Sequence, residues 1–209
     1  MSPEKQAAKG MADPMKPRGR PRSGQAHQAI LAAALAELAR SGFRALTVDA
    51  IAARAGVGKM TVYRRWPNKA AVVMDAFLSL VGPATAFPEA PRAIDRIRGQ
   101  MRLQAAFFNG KFGRAIKALL GEAQFDAELA EAFRDRWLTP RRQMTRRMLR
   151  EAVRQGDLRA DRDLETVIDL LYGPIYYRLQ LGTGPITAAY MEGVFARAMR
   201  GLARPSASA

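Results

Sequence analysis

The chain has 209 residues, enough to bury a sizeable core as one compact unit or two small ones. Its 34 Lys and Arg against 19 Asp and Glu give a formal net charge of +15, which favours a polyanionic partner, and the density is higher in the first 82 residues. There is no cysteine and a single histidine, His27, so disulfides, thiolate metal sites and cysteine nucleophiles are excluded and a histidine-ligated metal is disfavoured.

Residues 1–22 are rich in Pro, Gly, Lys and Ala without an apolar period and read as a disordered basic arm. The arm ends in Lys16-Pro17-Arg18-Gly19-Arg20-Pro21-Arg22, which resembles an AT-hook. Arg18 and Arg20 on an extended strip suit a narrow A·T-rich minor groove; the plainer reading is a solubilising linker. A first helix is predicted over 25–40, with Ile30, Leu31, Ala34, Leu35 and Leu38 as its apolar stripe and Gly42 as its stop. Phe43 and Leu46 should pack under a second helix, 48–55, capped by Thr47. Gly56 makes the turn to a third helix, 59–66. Pro67 and Asn68 end it, and Asn68 caps a fourth, 69–81, whose end Gly82 and Pro83 mark.

Ile51 and Ala52 ahead of Gly56, with Val57 and Val62 behind it, have the spacing of a helix-turn-helix. A glycine takes the positive φ of the tight turn, and the apolar residues hold the second helix at a fixed angle. That helix carries Lys59, Met60, Thr61, Tyr63, Arg64 and Arg65, several of them cations and hydroxyls of the kind that meet phosphates and base edges in a major groove. The bland alternative is a helical hairpin with a basic solvated face.

The same stretch resembles the DNA-binding domain of TetR-family (tetracycline-repressor-like) transcriptional regulators. There a Thr opens the second helix and a Tyr-x-x-aromatic-x-x-Lys run closes the third; here these are Thr47, then Tyr63, Trp66 and Lys69. The likeness covers about 24–80, with Met60 departing from the small residue usual in relatives, and 171–187 resembles one subgroup of the family's ligand domains. On this reading Thr47, Tyr63, Arg65 and Lys69 anchor phosphates and the Gly58 N–H lies near one. Lys59, Met60, Thr61 and Arg64 face base edges.

Further helices are predicted over 91–109, 112–123, 127–155, 163–181 and 185–202. Pro140 either kinks the third of these or starts a new helix after Thr139. No segment alternates with period two. The expected fold is all-α, with about nine helices: a helix-turn-helix domain with its linking fourth helix over 23–81, a helical ligand-binding and dimerisation domain over 82–204, and a tail over 205–209.

Large aromatic and flexible side chains at helical spacing are usually core, but together they would suit a pocket for an apolar or aromatic small molecule. The family resemblance implies such a pocket, with Met101, Phe108, Phe133, Trp137, Tyr172 and Tyr176 as lining candidates. Val167, Leu170, Leu171, Pro174, Ile175 and Leu179, with Tyr190, Val194 and Phe195, exceed what one small domain needs to bury, and the resemblance implies a two-fold four-helix dimer there. Arg141, Arg142, Arg146, Arg147, Arg150 and Arg154 could form a second nucleic-acid surface, but read better as a solvated basic face paired with Glu151 and neighbouring acids. Asp161 and Asp163 read as a helix N-terminus rather than a metal site.

No catalytic constellation, cofactor motif or metal site stands out, and no apolar run reaches the roughly 18 residues of a membrane span. The basic first residues lack the hydrophobic segment of a secretory signal, so the cytoplasm is the expected location. The expectation is thus a homodimeric DNA-binding transcriptional regulator, a repressor by resemblance, on a pseudo-palindromic double-stranded operator. A small-molecule effector in the C-terminal domain would change its DNA affinity. The alternatives are a nonspecific architectural DNA-binding protein and a helical ligand-binding protein or enzyme with an incidental basic head.

Overall fold

The computed structural model describes residues 20–110 and 113–202, with side chains from residue 24 onward. They form α1 (Arg20–Ala45), α2 (Val48–Ala55), α3 (Lys59–Tyr63), α4 (Lys69–Ala84), α5 (Ala93–Asn109), α6 (Gly113–Glu122), α7 (Ala127–Phe133), a π-helical turn (Arg134–Leu138), α8 (Thr139–Arg154), α9 (Leu164–Leu181) and α10 (Ala188–Leu202). Among the described residues there is no strand.

Local signals set most boundaries. Thr47 accepts the Ala50 N–H at 3.1 Å and opens α2; Asn68 accepts the Ala71 N–H at 2.9 Å and opens α4. Asp163 caps α9 by accepting from the Thr166 N–H at 2.9 Å. Gly42, at φ 73°, breaks α1 where a stop was expected. At the other end α1 begins upstream of residue 25: residues 20–22, assigned from sequence to the arm, are helical backbone, and Pro21 is tolerated there because a first-turn N–H has no partner in the helix. Arg18 lies outside the described residues, as does the Arg20 side chain.

Pro140 stands in the first turn of α8, which opens at Thr139 and follows α7 through a π-helical turn. α7, the π turn and α8 are continuous, with helical dihedrals at Phe133, Arg134, Leu138 and Thr139. The wider π turn sits just ahead of the proline, whose missing N–H and bulky ring disturb the ordinary ladder there. Counted as one rod, this run makes nine helices among the described residues.

α1, α2 and α3 close a small head around Ile30, Leu46, Ile51 and Val62, each no more than 1% exposed. α4 leaves the head buried nearly all round, from Ala70 to Phe77, and packs against α1 on one side and α5, α7 and the π turn on the other. The body places α5 against α8 and α10, and α9 against α6, α8 and α10. Trp137, Phe108, Phe77 and Phe133 pack ring to ring at its centre, with centroids 5.3–6.5 Å apart. No described helix is long and apolar enough to cross a membrane.

Candidate nucleic-acid interface and a polar cleft

α2 and α3 meet at Gly56, whose φ of 66° and ψ of 32° are left-handed, while the Val57 N–H returns to the Ala52 carbonyl at 3.0 Å. Ile51 and Val62 are fully buried and clamp the two helices. The outward face of α3 then follows from helical geometry: Lys59, Met60 and Tyr63 are exposed, and so is Arg64 in the turn that follows. Met60 is 75% exposed, an apolar side chain that the described residues leave largely uncovered. α3 is shorter than expected, ending at Tyr63, but backbone bonds from Arg64 to Met60 and from Trp66 to Val62 carry the helical turn onward.

Several predicted contact residues have internal roles as well. Lys59 Nζ pairs with Asp49 at 2.9 Å, which raises its pKa and aims it across the α2–α3 groove. Thr47 uses an oxygen lone pair as the α2 cap, leaving its hydroxyl proton to donate. Lys69 donates to the carbonyls of Phe43 at 3.0 Å and Arg44 at 3.2 Å, so two of its three ammonium protons tie α4 to the end of α1. Gly58 is exposed at the start of α3, and Thr61 and Arg65 are partly buried beside it.

The head is also wired in ways the sequence did not reveal. Trp66, 2% exposed, stacks on His27 with centroids 5.1 Å apart and donates its indole N–H to Asp75 Oδ2 at 2.7 Å. The other oxygen of Asp75 accepts from Arg136 in the π turn at 2.7 Å. Glu37 accepts from Arg40 at 2.5 Å and from Arg54 of α2 at 2.6 Å; these two guanidinium bonds hold its carboxyl below its usual value. Arg44 donates to Glu122 of α6 at 2.7 Å. From sequence, α4 is the one covalent route from head to body; the Asp75 bridge and the Arg44–Glu122 pair add non-covalent ones.

In the body, a narrow cleft between α5, α8 and α9 is lined by Gln100, Gln104, Arg141, Thr145, Tyr172 and Tyr176, among others, with a solvent-accessible volume of about 40 Å³. Of the six expected lining residues, Tyr172 and Tyr176 are there. Met101, Phe108 and Trp137 are core residues behind it, and Phe133 borders a wider neighbouring groove of about 490 Å³ that shares Leu138, Arg142, Tyr172 and Tyr176 with the cleft. The difference in placement has a simple cause: apolar periodicity marks what is buried, whereas this cleft is lined by polar residues on inward faces. Gln100 and Gln104, one turn apart on α5, were the signal for it. Tyr172 donates to Gln100 Oε1 at 2.7 Å, and Trp137 donates to the Tyr176 hydroxyl at 2.8 Å. Burial raises both phenol pKa values, so both stay protonated.

The arginine run of α8 divides. Arg142 pairs with Glu165 at 2.7 Å and Asp169 at 2.5 Å, and Arg146 joins Glu165. Arg141 instead turns inward. Val167, Leu171, Ile175, Leu179 and Phe195, expected at a dimer interface, lie in this chain's own core. Leu170 is exposed, and Pro174, Tyr190 and Val194 are partly so. A helix apolar on two faces does not declare which one turns inward; the outer face of α9 proves to be Leu170, Pro174, Tyr177 and Leu181.

A rigid, capped turn presenting a short basic helix, joined by a buried helix to an all-α body, defines a helix-turn-helix DNA-binding protein. Residues 30–76 match the family described as bacterial regulatory proteins, tetR family, and residues 93–198 match the tetracyclin repressor-like C-terminal domain. The uncharacterized HTH-type transcriptional regulator YdeS of Bacillus subtilis is 40% identical over 191 residues, covering 91% of this chain and 96% of that one. The DNA-binding transcriptional repressor TetR of Mycobacteroides abscessus is 29% identical over 201 residues, 92% of this chain and 100% of its own. A crystal structure of a TetR family transcription regulator superposes with a TM-score of 0.72 at 29% identity, covering 86% of this chain and 100% of that one. The chain belongs to the TetR family of helix-turn-helix transcriptional regulators.

Proposed function

We propose that this regulator is a cytoplasmic homodimeric repressor that binds a pseudo-palindromic operator and is released by a small-molecule effector held in the body. The observation that carries the DNA half is the braced, outward face of α3, where Met60 and Tyr63 stand exposed beside Lys59 and Arg64. Such a face suits base edges and phosphates in a major groove, with Thr47, Gly58, Thr61, Arg65 and Lys69 around it as further contacts. Lys59 would exchange Asp49 for DNA at little cost, since both partners are largely solvated.

Dimerisation supplies the second α3. The exposed apolar side of α9, with Leu170 52%, Tyr177 57% and Leu181 64% exposed, continues into a groove of about 680 Å³ against Val194, Ala198 and Gly201 of α10. A copy of the same face would cover it. Two α3 helices so paired must lie about 34–36 Å apart to reach successive major grooves. An effector that fits better when α4 is displaced lowers DNA affinity by the same factor by which DNA lowers effector binding. The Asp75 bridge and the Arg44–Glu122 pair are the contacts through which that displacement would reach the head.

Selection of bound sequences from random duplexes tests the reading. Enrichment of a two-fold symmetric site that Arg64→Ala loses supports it; failure to enrich any sequence would favour the architectural DNA-binding alternative.

A further inference from the structure

Arg141 is the cation of the cleft that lacks a carboxylate. Among the described residues no acidic group lies within ion-pair distance of it, whereas its neighbours Arg142 and Arg146 are paired with Glu165 and Asp169. Its guanidinium lies 3.8 Å over the Trp137 ring, and it donates to the hydroxyl of Thr85. Arg142 also borders the cleft, but its charge is taken up by Glu165 and Asp169; the other polar lining groups, Gln100, Gln104, Thr145, Tyr172 and Tyr176, are neutral. Burial without a counter-ion lowers its pKa, a second sign that the charge is poorly compensated. A planar, poorly solvated guanidinium among neutral polar groups, most of whose protons are already donated within the protein, is the arrangement a carboxylate completes, through two parallel N–H···O bonds.

Thr85 makes this more than a binding detail. It is the C-cap of α4, and its own hydroxyl donates to the Val81 carbonyl at 2.8 Å. Gln100 adds a bond to the Thr85 carbonyl at 3.2 Å. The end of the helix that runs to the DNA-binding head is therefore held by Arg141, the cation an anion in the cleft would engage, and by Gln100 beside it. The cleft has room for a charged group only. The wider groove beyond Tyr172 and Tyr176, bordered by Leu120, Ala123 and Phe133, is where an apolar body would lie.

We infer that the effector is a small organic carboxylate with an apolar or aromatic body, that Arg141 is its counter-ion, and that its binding draws Arg141 off Thr85 and frees the end of α4. This rests on the reading of the protein as an effector-responsive regulator. The experiment titrates full-length protein with benzoate, phenylacetate and octanoate, and with the three matching primary amides, by calorimetry and then by anisotropy on the selected operator. At least one acid should bind ten-fold or more tightly than its amide and weaken operator binding. Arg141→Gln should lose that preference while Arg147→Gln, at an exposed site on the same helix, keeps it. Thr85→Val should still bind the acid, at least as tightly as wild type, and lose its effect on the operator. Acids no better than amides, or undiminished preference in Arg141→Gln, overturns the assignment. Operator binding without any acid is read separately: if it is intact while the acids fail, only the effector assignment falls, and if it is absent, the regulator reading falls.

Discussion

Trp66 at the end of the recognition segment donates its indole N–H to Asp75 of α4 at 2.7 Å, and the same carboxylate holds Arg136 of the body. One side chain thus fixes the DNA-reading head and grips the π turn behind the cleft. Asp75→Ala leaves a buried indole donor unsatisfied and should cost about 1–3 kcal/mol in urea denaturation. Trp66→Phe combined with Asp75→Ala should cost less than the sum of the single changes, since phenylalanine needs no acceptor. Strict additivity would show that the bond carries no coupling.

Surface and core of the helix-turn-helix should separate cleanly. Arg64→Ala should weaken operator binding by about 1–3 kcal/mol with thermal stability unchanged, measured by anisotropy and calorimetry. Ile51→Ala should do the reverse, costing about 2–5 kcal/mol of stability because Ile51 is wholly buried between α2 and its neighbours.

The exposed side of α9 gives a prediction for assembly. Leu170→Asp with Leu181→Asp should yield a folded monomer in sedimentation and lower operator affinity by several orders of magnitude, since one head then binds alone. Leu171→Ala should instead reduce stability by about 2–5 kcal/mol and leave the dimer intact, because Leu171 is 0% exposed in the single chain. An unchanged sedimentation profile for the double aspartate variant would remove α9 from the interface.

Glu37 ties α1 to α2 through Arg40 and Arg54, and those bonds depress its pKa below the usual 4.5. A depressed acid stabilises the fold above its unfolded pKa and loses that contribution as pH falls through the folded value. Melting temperature followed from about pH 7 down to about pH 3 should fall less steeply for Glu37→Gln than for the wild type, the two curves converging below about pH 4.5. Parallel curves would show that the pair contributes nothing to acid stability.

What could be read in advance was whatever local rules decide. The caps Thr47 and Asn68, the left-handed Gly56 and the clamp of Ile51 on Val62 all follow from spacing and residue type, and so the head was legible. The body was legible as helices but not as surfaces. Arg141 and Arg142 are adjacent in sequence, yet a turn of about 100° sends one into the cleft and the other to Glu165. Leu170 and Leu171 divide the same way between solvent and core. The Asp75 bridge joins residues 61 positions apart in sequence, so no local pattern announces it.

The most direct test of the account is a footprint of the purified protein on the duplex it selects, with sedimentation of the complex alongside. The account predicts one dimer protecting a two-fold site whose half-sites lie one helical turn apart, each losing contacts at the same base pairs in Arg64→Ala. A monomer on the DNA, or protection that spreads without a fixed boundary over selected and random duplexes alike, would contradict it.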